Sequence, residues 1–138
     1  MAAGIQLPGG GETIDLQQQV ARLQALLEAA RQVHSTTHEN EVLEQVLSIV
    51  VRELEMSGAA FPSAGLVYGD DPGEANNGAQ PTWPLDDRAG HRMTELVVAP
   101  PDGRKLTLYE SDFIEGLALQ AAVALENARF HKRNVEFA

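Results

Sequence analysis

The sequence contains no cysteine in its 138 residues. A chain without thiols has no disulfide framework, no thiolate zinc site and no cysteine nucleophile. Disulfides are rare in the cytoplasm, so the absence fits a cytoplasmic protein, and that is the location we expect.

Basic residues and long apolar runs are also scarce. Ten Lys and Arg stand against 20 Asp and Glu, which gives a formal net charge of −10. Such a chain attracts neither nucleic-acid phosphates nor an anionic membrane surface. No apolar run approaches the ~20 residues that span a bilayer, and the opening MAAGIQLPGGG lacks the features of a signal peptide. We therefore expect no nucleic-acid partner and no membrane partner.

No catalytic or metal-binding constellation can be recognised. His34 and His38 have the spacing of two ligands on one helix face, but the Ser-Thr-Thr between them predicts a helix break. Two pairs of adjacent carboxylates could serve acid–base chemistry, but acids beside Pro or Gly more often form turns; they are Asp70-Asp71 and Asp86-Asp87. We predict no enzymatic activity, no bound metal and no cofactor.

What the sequence does contain is enough apolar material for one domain. The hydrophobic fraction is 43%, and the length fits a single core. Residues 1–12 are rich in Gly and Pro and predict a flexible linker. Residues 13–138 are predicted to form the domain, including both terminal helices.

Both terminal helices carry apolar residues at alternating steps of four and three, the spacing of a heptad seam. The first helix is predicted from Ile14 to about His34 and the last from about Thr107 onward, where Thr107 and Glu110 fit a capping box. Ile114, Ala118, Ala122 and Leu125 form a second apolar row in the last helix. Seams at both ends predict a homodimer; the seam residues are Leu16, Val20, Leu23, Leu27, Ala30, Leu117, Ala121, Ala124, Ala128, His131 and Val135.

The middle of the chain predicts one more helix and a small sheet. Thr36 and Glu39 fit a capping box before a helix over Asn40–Glu55. Short strands follow over 59–68, interrupted near Pro62, and again over 82–85 and 91–99. The stretch from 70 to 81, DDPGEANNGAQP, has a loop composition.

The last helix resembles the closing helix of a GAF domain, a small regulatory domain of bacterial signalling proteins. The resemblance rests on Leu106-Thr107, Asp112-Phe113-Ile114, Leu117-Ala118-Leu119-Gln120-Ala121-Ala122 and Ala124-Leu125-Glu126-Asn127-Ala128-Arg129. It implies an α+β fold in which an antiparallel sheet has the N- and C-terminal helices packed together on one side. It also implies a non-catalytic sensor of a larger bacterial signalling chain, passing a signal to an output domain of the same chain.

The resemblance weakens in the middle. A GAF domain usually has a strand, a helix and a strand where this chain has only the loop of residues 70–81, and those elements build its ligand pocket. Aromatic residues of the remaining sheet are the weak candidates for a ligand site: Trp83, Tyr68 and Phe61. Two alternatives therefore stay open, a pure dimerisation scaffold and a module that binds a small nucleotide or metabolite. The signature of cyclic-nucleotide-binding GAF domains is not recognisable.

Overall fold

In its described residues, the computed structural model contains three long helices and one antiparallel sheet. It describes residues 9–72 and 80–137, and the side chains of 15–72, 80–132. The elements are α1 (Gly9–His34), α2 (Glu39–Leu54), β1 (Gly58–Phe61), β2 (Leu66–Gly69), β3 (Thr82–Asp86), β4 (Arg92–Ala99) and α3 (Leu108–Phe137), with 3-10 turns at Pro62–Ala64 and Pro101–Gly103. The predicted α+β class is confirmed.

The first helix begins earlier than its sequence pattern predicts. Residues 9–12 belong to α1, whereas we expected them in a flexible linker. The remainder of that predicted linker, residues 1–8, lies outside the described part of the chain.

The four strands are arranged in the order β2-β1-β4-β3, and all neighbours are antiparallel. Alternate side chains of the two central strands are fully buried: Ala59 and Phe61 on β1, Leu96 and Val98 on β4. They join residues of α2 and α3 in one core. Because side chains of a strand alternate between faces, the helices lie on one side of the sheet, as predicted.

The capping box predicted at Thr36 and Glu39 is wrong. Helix α2 starts at Glu39, and its N-cap residue is His38, which makes no side-chain capping bond. The Thr36 hydroxyl instead accepts a hydrogen bond from the His38 backbone N–H at 3.2 Å and donates one to Glu41. The two residues fit the motif in sequence, but the helix begins two positions too late for Thr36 to be its N-cap.

The capping box predicted at the start of the last helix is present. The Glu110 backbone N–H donates to the Thr107 hydroxyl at 3.1 Å, and the Thr107 backbone N–H donates to the Glu110 carboxylate at 2.9 Å. This reciprocal pair satisfies two backbone donors that the first turn leaves open. It sets the residue at which α3 leaves the preceding turn.

Helices α1 and α3 lie side by side and run in the same direction. The Arg22 guanidinium stands 4.4 Å above the centre of the Tyr109 ring, and His34 Nε2 lies 2.9 Å from Gln120 Oε1. The residue numbers of the contacting pairs increase in the same direction on both helices, so the two helices are parallel. Between these contacts Gly116 allows close approach, since a Cβ added there would lie 2.8 Å from a methyl carbon of Leu26.

Candidate functional site

The heptad seam predicted in the last helix is turned inward. Its members Leu117, Ala121, Ala124 and Ala128 are all buried within this chain. They pack in the core with α2 and the sheet, so they are not available to a second molecule. His131 is exposed, and the side chain of Val135 lies outside the described residues. This part of the predicted seam therefore belongs to the core of the chain itself.

The seam predicted in the first helix faces solvent. Leu16, Val20, Leu23 and Leu27 are among the most exposed large apolar side chains of the protein, with Leu27 69% exposed. Ala30, the next member of the seam, is half-buried. Four large aliphatic side chains at heptad spacing on one exposed face are unusual for a monomer, which seldom leaves a contiguous apolar patch uncovered.

Helix α3 carries an exposed apolar face of its own. Leu119 is 64% exposed, and Val123 and Phe130 are exposed as well. They follow one another at steps of four and seven and lie on the side of the helix away from the buried row. Leu108, at the start of α3, is 78% exposed, the largest value among the large apolar side chains that the structure describes.

The two exposed faces lie on the same side of the helix pair. Around α1, the order of faces is the core, with Ala29 and Val33, then α3, with Leu26, and then the exposed stripe. Around α3 the order is the core, then α1 at Gly116, then Leu119 and Val123. Successive residues of a helix are rotated by about 100°. Viewed along the helices, these two orders run clockwise around one helix and anticlockwise around the other. Since the helices are parallel, both stripes lie on the outer side of the pair. We call this surface the outer face: Leu16, Val20, Leu23, Leu27, Leu108, Leu119, Val123 and Phe130.

A shallow cleft of about 610 Å³ lies between the helices near the start of α3. Leu23 and Leu108 belong to both the cleft and the outer face. Arg22 forms part of its wall, where its guanidinium covers the ring of Tyr109, which in turn meets Phe113 edge to face at 6.1 Å. The outer face is therefore grooved at this end.

The three aromatic residues predicted as ligand contacts do not form one wall. Phe61 is fully buried in the core on β1, and Tyr68 is 40% exposed on the edge strand β2. Trp83 lies on β3 at the opposite edge, half-buried against the core. Two strands separate Tyr68 from Trp83. Trp83 lines an open cleft of about 520 Å³ together with Lys105 and Ser111.

Of the two pairs of adjacent carboxylates, Asp86-Asp87 stabilises a turn. Asp87 Oδ1 accepts backbone N–H bonds from Ala89 and His91, each at 2.9 Å. These bonds, that from His91 above all, hold the pKa of Asp87 below its usual value. Asp86 pairs with Arg92 at 2.8 Å. This arrangement closes the turn between β3 and β4.

Three or more potential metal ligands do not come together anywhere in the described residues. His34 is bonded to Gln120, whereas His38 lies 3.7 Å from a Glu41 carboxylate oxygen. The two histidines lie on either side of the break between α1 and α2, which the Ser-Thr-Thr sequence predicted. Within the same part of the chain, no helix is long and apolar enough to cross a bilayer.

Ion pairs between distant elements are a feature that sequence reasoning missed. Arg129 Nε pairs with Glu39, 90 residues earlier, and joins the end of α3 to the start of α2. Arg88 pairs with Glu126 at 3.2 Å, linking the β3–β4 turn to α3. Arg129 and Arg88 thus each connect α3 to an element that is distant in sequence.

No family model matches the sequence, and no curated protein matches it either. Solved structures do match, and one of them is the "GAF domain of a putative sensor histidine kinase" from Pseudomonas syringae pv. tomato. That likeness has a TM-score of 0.68 at 16% sequence identity and covers 92% of this chain and 99% of that chain. The chain thus has the fold of a GAF domain, which confirms at the level of the fold the resemblance read from its last helix.

Proposed function

We propose that this domain is a non-catalytic regulatory module of a larger bacterial signalling protein, dimerising through its terminal helices and passing a signal to an output domain. The GAF fold supports the regulatory role, since the similar solved structure is described as part of a sensor kinase. The expected setting is the cytoplasm, in keeping with the cysteine-free sequence.

The outer face is the observation on which the proposed dimer rests. It places eight large apolar side chains on one side of α1 and α3, where none of the described residues covers them. A second copy presents the same stripe, so a two-fold axis along the helix pair would bury both stripes against each other. Heptad spacing on α1 suits packing of helices at a shallow angle.

The parallel course of α1 and α3 supports the proposed transmission. The core row of α3 packs against α2, so a relative shift of the two copies at the outer face would move α3 as a rigid body together with its own core. The signal would then leave through the last turns of α3, which extend past the level of His34.

A dimerisation scaffold without a small ligand is the second candidate. The clefts described above are open to solvent. Among the described residues, no helix covers the side of the sheet that faces away from α2 and α3, where Val67 is 49% exposed. A ligand-binding sensor needs a concave site that encloses most of its ligand. Ligand screening, treated below, separates these two candidates.

Molar mass in solution tests the dimer. Light scattering at tens of micromolar should give twice the chain mass of 14.9 kDa. Replacing Leu27 and Leu119 together by Glu puts charges into the proposed contact, where desolvation is costly. The double variant should be a folded monomer, with unchanged far-ultraviolet circular dichroism.

Val67→Glu is the control, because it changes another exposed aliphatic residue that lies away from the outer face. It should leave the dimer intact. A wild-type protein that stays monomeric up to several hundred micromolar would refute the proposed dimer, as would a double variant that dimerises like the wild type.

A further inference from the structure

The sheet has two edges, and they differ in what they offer. Strand β2 forms one edge and β3 the other. On β2, Val67 and Tyr68 are exposed although both are large and apolar or aromatic. An exposed edge strand presents backbone donors and acceptors on which another strand can pair.

The hydrogen-bond pattern shows which backbone groups point outward. The Val98 N–H donates to the Pro81 carbonyl, which fixes the even residues of β4 as those bonded to β3. Following the antiparallel alternation across β1, the residues bonded to β2 are Ala59 and Phe61, whose partners are Tyr68 and Leu66. The N–H and C=O of Val67 therefore point away from the sheet.

The opposite edge is closed at the corresponding position. Pro84 lies opposite Glu95, between the residues of β3 that bond to β4, so its nitrogen occupies the place of an outward donor. Proline has no N–H to give, and an edge proline is a common device against strand pairing. Strand β2 contains no proline, lysine or other charged residue, so this edge lacks such protection.

A groove of about 500 Å³ runs beside the open edge, between β2 and helix α2. Its floor includes Leu66 and Tyr68, which point to the helix side of the sheet. Its helix wall carries the carboxylates of Glu41 and Glu44. Glu44 makes no ion pair within the described part of the chain, whereas Arg52, at the far end of the wall, is hydrogen-bonded to Ser48.

We propose that this groove binds an extended, basic peptide segment of a partner protein, which adds to β2 as a fifth strand. The peptide backbone would pair with the N–H and C=O of Val67, and alternate side chains would enter the groove against Leu66 and Tyr68. A lysine or arginine at that face would meet Glu44, and the net charge of −10 favours its approach. A second copy of this chain fits less well, since pairing β2 with β2 would bring two acidic walls together.

This proposal is independent of the dimer, because the groove and the outer face share no residue. The probe is the synthetic peptide acetyl-KVTVK-amide, titrated into the ¹⁵N-labelled domain. Amide resonances of β2 and of the exposed face of α2 should shift, with a dissociation constant below about 1 mM, as expected for a single short strand. Two matched peptides, acetyl-EVTVE-amide and a backbone N-methylated KVTVK, should each bind about tenfold more weakly, since each loses a charge-assisted or backbone hydrogen bond.

Protein variants assign the site. Val67→Pro removes the outward N–H and should weaken KVTVK binding about tenfold, whereas Thr82→Pro makes the same change at the other edge and should leave it unchanged. Glu44→Lys, on an exposed helix position, should weaken KVTVK and strengthen EVTVE, and it keeps the test decisive even if Val67→Pro does not fold.

Three results would overturn the proposal. The first is no shift of the β2 and α2 resonances at millimolar KVTVK. The second is equal affinity for the basic and acidic peptides in the wild type. The third is a loss of dimer mass in Val67→Pro, which would show that a second copy pairs with this edge.

Discussion

At the scale of single residues, Glu110 combines two roles at the start of α3. Its carboxylate accepts the Thr107 backbone N–H and forms a bidentate pair with Arg104, at 2.8 and 2.9 Å. Its side chain is only 11% exposed. The Arg104 hydrogen bonds, outweighing the cost of burial, lower the pKa of Glu110 to about 2. Removing the charge therefore affects both the helix cap and the ion pair.

The first prediction concerns the pH dependence of this group. The folded-state pKa lies below the unfolded value of 4.5, so the charged carboxylate contributes stability above pH 4.5 that is lost as the pH falls toward 2. Glu110→Gln should lower the free energy of unfolding at pH 7 by about 1–2 kcal/mol. Urea unfolding at several pH values should show this difference shrinking between pH 4.5 and 2.

The exposed Glu115→Gln provides the control on the same helix. It should cost less than about 0.5 kcal/mol at any pH, as surface substitutions usually do. A Glu110→Gln difference that stays constant down to pH 2 would contradict the assigned role.

The second prediction concerns Gly116, where α1 approaches α3. Alanine favours a helix interior by about 1 kcal/mol over glycine, but a Cβ there would lie 2.8 Å from Leu26 Cδ2. Gly116→Ala alone should change stability little, since the methyl group of Leu26 must move. In a Leu26→Ala background, the same substitution should stabilise by about 1 kcal/mol.

Thermal or urea unfolding of the four proteins in this double-mutant cycle measures the coupling. Equal effects of Gly116→Ala in both backgrounds would show that the close contact between the helices does not limit stability.

At the scale of elements, features that depend on neighbouring residues could be predicted from the sequence, whereas features that depend on distant residues could not. The Thr107–Glu110 box was predictable because both partners lie within one turn and the motif needs no other contact. The strands bounded by Pro62 and by the Asp87 turn were predictable for the same reason. The Thr36–Glu39 box was predicted wrongly: α2 starts after His38, and the Glu39 carboxylate pairs with Arg129, 90 residues away.

The direction of each helix face could not be predicted from spacing alone. Helix α3 has apolar residues nearly all round, and the alanine row suggested close contact with another chain. In the fold, those alanines allow α3 to approach the other elements of its own core, and the larger Leu119, Val123 and Phe130 face outward. The spacing of apolar residues identifies the apolar faces of a helix, but the packing of α2 and the sheet decides which of these faces is buried.

The third prediction contrasts neighbouring residues of α3. Ala124 is 3% exposed and Val123 is half-exposed. Ala124→Glu should lower the free energy of unfolding by about 3 kcal/mol or more, because it buries an unpaired charge. Val123→Glu should keep the fold and weaken the dimer instead. Chemical unfolding together with light scattering distinguishes the two, and a folded Ala124→Glu monomer of wild-type stability would contradict the inward orientation.

At the scale of the whole molecule, the described residues form a sheet of four strands with α1, α2 and α3 on one side of it. The sequence predicted a reduced middle at residues 70–81, which lie between β2 and β3, and residues 73–79 of that stretch lie outside the described part of the chain. The candidate ligand residues could not be grouped from sequence, because strand order β2-β1-β4-β3 separates Tyr68 from Trp83.

The fourth prediction is that cyclic AMP and cyclic GMP do not bind at micromolar concentrations. The test is the melting temperature and Trp83 fluorescence with a panel of nucleotides and metabolites. A ligand at 100 times its dissociation constant stabilises a fold by ~2.7 kcal/mol, which shifts the melting temperature of such a domain by several degrees. A shift of this size with any compound would favour the sensor over the scaffold.

The shared direction of α1 and α3 affects how the chain can be connected in permuted or fused variants. With Arg22 level with Tyr109 and His34 level with Gln120, Gly9 and Phe137 lie roughly 60 Å apart along the helix axes, at 1.5 Å per residue. Circular permutation would need a connecting peptide of about 18 extended residues to bridge that gap. Tandem fusion needs none, since the last turn of one copy already points along the axis on which the next would begin.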